Sequence, residues 1–255
     1  MRVLATAYSD TGSRKVINQD GYFVKSGHFG EQLVCLAVIC DGMGGFDAGE
    51  KASNTVITGL EQWFDSHLKK LILNHLSEQE LDNAVNEFLR EMNNNLISYG
   101  IKDGIKLGTT CSILLIIGTK AFIYHVGDSR IYHQSQGEFN LLTEDQTVAA
   151  RWVKSGKMTP EEAHTSRERS ILLQCIGVKN DIIPYKRVEE VNEGDSFLLC
   201  SDGFYYALND NEIKELLIQS NLQKININLE QLIDKVRIRG EVDDATAVVM
   251  RLTHY

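Results

Sequence analysis

The chain has 255 residues, of which 43% are hydrophobic and 24% are charged, and its net charge at pH 7 is -9. This length can form one large domain or two small ones, and the composition is typical of a soluble globular protein. The 35 acidic and 26 basic residues argue against broad binding to nucleic acids or acidic membranes, because both require a basic surface.

The cysteines occur singly within apolar runs and form no CxxC pair. They are Cys35, Cys40, Cys111, Cys175 and Cys200. This pattern favours buried free thiols in a reducing compartment over disulfides or a zinc site. The chain opens with a strand-like segment instead of a signal peptide, and no apolar run is as long as a membrane span. We therefore expect a cytoplasmic protein that binds neither nucleic acid nor membrane.

The first loop combines cations with an acid. Residues 2–8 read as a strand, and the polar loop that follows contains Arg14 and Lys15 shortly before Asp20 and a second strand at 22–24. Adjacent cations near a carboxylate usually form a surface salt bridge. They also suit a phosphate clamp, because Arg and Lys bind phosphate oxygens well, so both interpretations stay open.

An apolar run over 33–40 predicts a buried strand that ends at Asp41, Gly42 and further glycines. An Asp-Gly pair alone is more often a strand-ending turn. Glycine also permits close backbone approach, however, so Asp41 and neighbouring carbonyls could face a hard divalent cation together.

Two long helices are predicted next. Apolar residues recur at helical spacing over 48–68 and 77–99, and the second segment begins with a capping box at Ser77. Two consecutive amphipathic helices of this length would cover one face of a sheet.

The centre of the chain contains a hairpin and a long polar excursion. Buried strands are predicted at 108–117 and 121–126, and the second strand ends at Asp128. A helix is expected over 141–153, followed by an irregular or short-helical segment at 155–169. Such excursions often act as mobile lids or recognition segments.

The last third of the chain again contains predicted strands followed by predicted helices. A short strand is expected at 184–188, and a buried strand at 196–200 ends at Asp202. Helices over 209–217 and 229–236 would cover the opposite face. Asp243 and Asp244 then precede a closing strand at 245–252. Because we find no repeat or Pro-rich linker, we predict a single domain over 1–255.

Five acids from distant segments lie at or near predicted strand ends: Asp20, Asp41, Asp128, Asp202 and Asp243. Their convergence would form an acidic pocket whose carboxylates need cations or strongly raised pKa values. Histidine is absent from these motifs, which disfavours zinc and favours Mg²⁺ or Mn²⁺ held by oxygen ligands and water. No DxDxDG run is present, which argues against a calcium loop.

Six segments carry a family resemblance in this order: TGSRKVINQD, VICDGMGGFDAGEKAS, LGTTCSILL, HVGDSRIY, LLCSDGF and DDATAVV. Together they resemble the type 2C metal-dependent (PPM) serine/threonine protein phosphatases in their compact bacterial form, from about Ala5 to Leu252. The resemblance implies an α+β fold, a four-layer αββα sandwich of two antiparallel β-sheets flanked by helices.

The resemblance also implies a metal site. Asp41 would bridge two Mn²⁺ or Mg²⁺ ions, with Asp20 and the Gly42 carbonyl completing one shell and Asp202 and Asp243 the other. A third, weaker ion would be shared by Asp128 and Asp202. The implied catalytic carboxylates are Asp20, Asp41, Asp202 and Asp243.

The implied reaction is hydrolysis of phosphoserine and phosphothreonine by direct attack of a water or hydroxide that bridges the two ions. The implied partners are phosphorylated proteins, the substrates of a bacterial serine/threonine kinase. A phosphoprotein-binding pseudophosphatase is a second hypothesis, which the intact acids disfavour. A specialised regulator that dephosphorylates an anti-sigma-antagonist protein is a third, which the sequence does not separate from the first.

Two departures from the family pattern affect the phosphate site and the proton donor. Lys15 occupies the phosphate-binding Arg position of GxxRxxNxD, and Arg14 precedes it, so either residue could bind phosphate. Met43 and Phe46 stand where relatives often carry histidine, which leaves the leaving-group proton to metal-bound water. The segment at about 146–169, here called the flap, resembles the family's flap and is the expected contributor to substrate selection, with a simple surface insertion as the alternative.

Overall fold

The computed structural model describes residues 1–45, 47–73, 77–219 and 221–254, and Phe46 lies outside them. One sheet has the strand order β1-β11-β10-β7-β8. Its strands are β1 (Arg2–Asp10), β7 (Arg130–Ser135), β8 (Glu138–Leu141), β10 (Ser196–Cys200) and β11 (Ala245–Thr253). We call it sheet I, and every pairing within it is antiparallel.

Sheet II has the order β2-β3-β5-β6-β9 and is also antiparallel. Its strands are β2 (Asp20–Phe29), β3 (Gln32–Gly44), β5 (Cys111–Ile117), β6 (Lys120–Val126) and β9 (Tyr185–Glu190). A short strand, β4 (Leu107–Thr109), pairs with the end of β3.

The helices lie outside the two sheets and in the flap. They are α1 (Ala48–Trp63), α2 (Lys69–Leu73), α3 (Glu78–Asp103), α4 (Val148–Lys154), α5 (Pro160–Thr165), α6 (Asp202–Tyr205), α7 (Asp210–Leu217) and α8 (Leu222–Ile238). A π-helical turn, Phe64–Leu68, joins α1 to α2, and a 3₁₀ turn, Arg167–Ser170, ends the flap. Among the helices of the described ranges, none has the length and apolar character needed to cross a bilayer.

Buried side chains form three layers of core. On β3, Val38 packs into a cluster with α1 and α3, whereas Ile39 packs into a second cluster that also contains Phe197 and Val248 of sheet I. A third cluster joins the outer face of sheet I to α7 and α8, for example through Leu229. Since successive strand residues point to opposite faces, these clusters define helix, sheet, sheet and helix layers. The predicted αββα sandwich is confirmed.

Several predicted boundaries are wrong, and three of them have a clear physical reason. Strand β3 continues through Asp41 to Gly44, because β2 and β4 supply pairing partners beyond Cys40. The helix expected over 141–153 begins at Val148, because Thr147 caps it by accepting the Ala150 N–H.

The third error concerns the last helix, which was predicted over 229–236 but begins at Leu222. Asn221 caps α8 by accepting the N–H groups of Gln223 and Lys224. Elsewhere, the Ser77 capping box and the β5–β6 hairpin agree with the sequence prediction.

Candidate metal and phosphate site

Asp20 and Asp41 lie directly opposite each other on β2 and β3. Opposed residues of an antiparallel pair share a face, and Asp41 has the same strand parity as Ile39, which packs between the sheets. The Asp41 backbone is fixed by Thr110, whose hydroxyl accepts the Asp41 N–H at 2.8 Å and whose own N–H donates to the Asp41 carbonyl at 2.9 Å. Both carboxylates therefore emerge at one end of the inter-sheet space.

Asp128 and Asp202 lie at adjoining ends of the paired strands β7 and β10: Asp128 shortly precedes β7, and Asp202 shortly follows β10. Asp128 is buried in the turn between β6 and β7, and Asp202 is the first residue of α6, directly after β10. Tyr205, at the end of α6, donates its hydroxyl to the Asp128 carbonyl at 3.0 Å. Helix α6 thus connects the two acids.

Asp243 and Asp244 form the loop before β11 and have different environments. The Asp243 side chain is 44% exposed, whereas that of Asp244 is 1% exposed. Asp244 accepts the N–H groups of Gly12 and Gln19, each at 2.8 Å, across more than 200 residues of chain. It thereby fixes both ends of the loop that carries Lys15.

Lys15 contacts this pair of acids. Its Nζ lies 2.5 Å from an Asp243 oxygen and 3.1 Å from an Asp244 oxygen. Burial lowers the pKa of Lys15, but the hydrogen bond and charge of Asp243 outweigh burial, so its pKa is raised. Arg14 is exposed and makes no ion pair with the described part of the chain.

Four of these acids, Asp20, Asp41, Asp128 and Asp202, have raised pKa values, first because they are buried and then because neighbouring carboxylates repel them. Burial is the main cause for Asp41, and Asp20, Asp202 and Asp128 add repulsion, so its pKa lies well above the usual range. Burial, opposed by hydrogen bonds, raises the pKa of Asp20 to about 6. Burial and the Asp243 charge raise that of Asp202 to about 7. Ionisation of all these groups requires added positive charge.

The pKa of Asp128 is also raised well above its usual range, chiefly by burial and then by the charge of Asp202. Asp41 is therefore close enough to the other four strand-end acids to be repelled by their charges. Burial of Asp128 beside Asp202 is consistent with a shared ligand role for these two residues.

Two buried carboxylate oxygens, Asp20 Oδ1 and Asp202 Oδ1, have no hydrogen-bond donor among the described residues. An unpaired buried oxygen is costly, and an oxygen-only donor set suits Mg²⁺ or Mn²⁺. The described residues contain no group of three or more His, Cys, Asp or Glu side chains already arranged to hold a metal ion. The residues present thus fit a hard cation whose shell includes carbonyls and water.

Glycine allows three segments to meet at this site. A Cβ on Gly42 would lie 2.1 Å from the Gly49 carbonyl oxygen at the start of α1. A Cβ on Gly12 would lie 2.2 Å from the Val242 oxygen, and one on Gly203 would lie 2.1 Å from the Asp244 oxygen. These distances are far below van der Waals contact, so only glycine fits at these positions.

Two supporting residues are not evident from the sequence. Asp244 is recognisable there only as part of an acid pair, although it anchors the Lys15 loop. Ser201 is buried, donates its hydroxyl to Asp20 Oδ2 at 2.7 Å and accepts the Thr246 N–H at 3.0 Å. The Asp-Asp and Ser-Asp-Gly sequences were the available signals, but no local pattern reveals such distant partners.

His125 and His133 have structural roles. His125 is buried, donates Nε2–H to the Gly127 carbonyl and accepts the Ser112 hydroxyl at Nδ1, and burial lowers its pKa to about 4. His133 pairs with the buried Asp195 at 3.0 Å. Both imidazoles therefore hold loops of the scaffold.

The flap is attached near the acids at both ends. Gln146 donates its N–H to the Gly127 carbonyl at 2.8 Å and accepts the Gly127 N–H at 2.9 Å, next to Asp128. At the other end, the Arg169 guanidinium lies 4.2 Å from the ring centre of Tyr206, which follows α6. A cavity of about 530 Å³ lies beside α4 and α5, with Arg169 and Tyr206 in its lining.

This fold is that of a class of solved bacterial phosphatases. A serine/threonine phosphatase from S. agalactiae superposes with a TM-score of 0.84 at 30% identity, covering 98% of this chain and 100% of that one. Residues 11–232 match the family model described as protein phosphatase 2C, and the chain belongs to this family. The family resemblance predicted from the sequence is confirmed.

The chain is also similar, in sequence and in structure, to a mycobacterial phosphatase named PstP. The Mycobacterium tuberculosis serine/threonine protein phosphatase PstP is 32% identical over 252 residues, which are 98% of this chain but 45% of PstP. The chain therefore spans less than half the length of that relative. A structure of the PstP catalytic domain in complex with two manganese ions has a TM-score of 0.78 at 28% identity, with 99% of each chain covered.

Proposed function

We propose that this chain is a Mn²⁺- or Mg²⁺-dependent protein serine/threonine phosphatase that hydrolyses phosphoserine and phosphothreonine. The observation that carries the proposal is the pair of buried, unpartnered carboxylate oxygens of Asp20 and Asp202, within a cluster of acids with raised pKa values. Membership of the protein phosphatase 2C family supports the same reaction.

The proposed ligands are those implied by the sequence resemblance. Asp41 would be shared by two ions, with Asp20 and the Gly42 carbonyl on one side and Asp202 and Asp243 on the other. Asp128 would join Asp202 in holding a third, weaker ion. The pairing of Asp20 with Asp41 and the link through α6 between Asp128 and Asp202 support this division.

When bound, the ions would supply an activated water nucleophile at neutral pH and offset charge on the phosphoryl oxygens. Lys15 would orient those oxygens as a point charge at the edge of the acid cluster, where Asp243 and Asp244 now hold its amino group. Arg14, exposed one residue earlier, is the second candidate for phosphate. All five cysteines are buried, so we assign no thiol nucleophile.

We further propose that the substrates are phosphoproteins made by a bacterial serine/threonine kinase and that the protein is cytoplasmic. The five buried free cysteines support a reducing compartment. We also infer one domain over 1–255, since both sheets share the central core. Attachment of the flap beside Asp128 and α6 supports a role in substrate selection.

Hydrolysis of p-nitrophenyl phosphate and of a phosphothreonine peptide, with Mn²⁺ and with EDTA, tests the proposal. We expect turnover with Mn²⁺, none with EDTA, and a fall in kcat of at least about 100-fold in Asp41→Ala, beyond what loss of an outer metal partner costs. Asp103→Ala, at the exposed end of α3, is the matched control and should retain wild-type rates. Mn²⁺ binding without turnover would instead favour the phosphoprotein-binding hypothesis, and near-normal turnover in Asp41→Ala would refute the ligand assignment.

A further inference from the structure

The loops that carry Lys15 and Asp243 begin at neighbouring strand ends. Asp10 and Ala245 form the last residue pair between β1 and β11. One loop leaves β1 after Asp10 and carries Lys15, and the other, 241–244, leads into β11 and carries Asp243. The relative position of the two loops sets the distance between Lys15, the proposed phosphate-binding residue, and Asp243, a proposed metal ligand.

A second connection between these loops comes from α8. Arg237, in the last turn of α8, donates Nε–H to an Asp10 carboxylate oxygen at 2.6 Å and an Nη2–H to the Asp10 carbonyl at 3.0 Å. Its Nη1 donates to the Asp243 carbonyl at 2.6 Å and to the Glu241 carbonyl at 3.3 Å. One guanidinium therefore binds both loops at once.

The backbone that Arg237 holds determines where the Asp243 carboxylate points. Glu241 accepts the Val242 and Asp243 N–H groups at 2.8 and 3.0 Å, and Asp243 Oδ1 accepts the Asp244 N–H at 2.8 Å. Asp243 Oδ1 is also the oxygen nearest to Lys15. Rotation of this short loop would therefore move the carboxylate away from both Lys15 and the other acids.

Only an arginine can make this set of bonds. The guanidinium presents donors in a fixed planar fork, whereas a lysine presents one compact ammonium. The Arg237 side chain is 21% exposed, so its bonds are shielded from water and constrain the loop more than a surface contact would. Nothing in the local sequence around Arg237 indicates this role.

We propose that Arg237 is a positioning residue that fixes Asp243 for metal binding and holds the Lys15 loop beside it. The inference rests on the proposed function, because it takes Asp243 as a metal ligand. Arg237 itself lies behind the loop and acts through Asp243. Outer partners of metal ligands typically change metal affinity by about 10–100-fold when removed.

Calorimetric titration of the chelator-treated full chain with Mn²⁺ tests the inference without using activity. We expect Arg237→Gln to raise the Kd for Mn²⁺ by about 10-fold or more and Arg237→Lys to raise it less, because lysine can replace one bond of the fork. Arg239→Gln is the matched control: Arg239 ends the same helix but binds Glu212 and the Ala207 carbonyl on the outer surface. It should bind Mn²⁺ as the wild type does.

A wild-type Kd in folded Arg237→Gln, or an equal loss in Arg239→Gln, would overturn the inference. Near-UV circular dichroism and thermal melts establish folding, and Arg237→Lys decides the question if Arg237→Gln does not fold: a raised Kd supports the role and an unchanged Kd refutes it. Failure of the proposed function is distinguishable, since it would appear as absent Mn²⁺ binding or absent hydrolysis in the wild type itself.

Discussion

Asp243 and Asp244 are adjacent in sequence, yet replacing them should have different consequences: Asp244→Ala should mainly reduce stability, and Asp243→Ala should mainly reduce metal binding. Asp244 is buried and accepts the N–H groups of Gly12 and Gln19 at 2.8 Å, with Lys15 at 3.1 Å. Asp244→Ala would leave two backbone donors without an acceptor in the interior. Asp243 is 44% exposed, and its carboxylate is paired mainly with Lys15.

The magnitudes follow from these contacts. A hydrogen bond to a charged group contributes about 1.5–3 kcal/mol, so loss of two such bonds in Asp244→Ala should cost about 3–5 kcal/mol of unfolding free energy. Asp243→Ala removes a half-exposed ion pair, worth at most about 1 kcal/mol, and the half-exposed hydrogen bond from the Asp244 N–H, so it should cost about 1–2 kcal/mol, less than Asp244→Ala. Asp243→Ala should instead lose Mn²⁺ binding and turnover.

Urea unfolding of the wild type and both variants in EDTA measures this contrast without any metal contribution to stability. Near-UV circular dichroism below the transition verifies that each variant starts from a folded state. An Asp244→Ala variant within about 1 kcal/mol of wild type, or equal destabilisation of the two variants, would show that Asp244 does not anchor the Lys15 loop.

Three further predictions concern the same site. Lys15→Ala should raise the KM for a phosphothreonine peptide by about tenfold in steady-state assays, because a charge-assisted contact is lost, and an unchanged KM would point to Arg14. Gly42→Ala should cost at least about 1–3 kcal/mol in urea unfolding, since its Cβ would lie 2.1 Å from the Gly49 oxygen, and a wild-type midpoint would contradict that contact. In EDTA, the wild type should lose unfolding free energy relative to Asp202→Asn as the pH rises from about 5 to about 7.5. The pKa of Asp202 is about 7 in the folded state, against 3.8 for an ordinary Asp, so between these pH values the folded state holds a proton that the unfolded chain has released. A difference in unfolding free energy between wild type and Asp202→Asn that does not change with pH would contradict this shift.

The fold was predictable from the sequence where a local pattern reports burial directly. The runs over 33–40 and 196–200 are apolar because both faces of those strands are covered, and the acids after them mark where the chain leaves the core. The start of α8 was not predictable, because Lys224 to Leu229 alternates polar and apolar residues as a strand does, although Ile225 and Leu229 share a buried helix face.

The acids of the candidate site were predictable because each stands next to a recognisable strand end. Their supporting residues were not. Asp244 binds Gly12, Ser201 binds Asp20 and Arg237 binds Asp10, over separations of 181 to 232 residues. Such contacts depend on how β1, β10 and β11 lie beside one another, and no spacing within a segment encodes that arrangement.

A crystal grown with Mn²⁺ and measured at the manganese absorption edge tests most directly whether the strand-end acids form a metal site. We expect two anomalous peaks that both contact the Asp41 carboxylate, with Asp20 and the Gly42 carbonyl near one peak and Asp202 and Asp243 near the other. Manganese peaks confined to exposed surface acids, with none at Asp41, would contradict the assignment of these carboxylates as metal ligands.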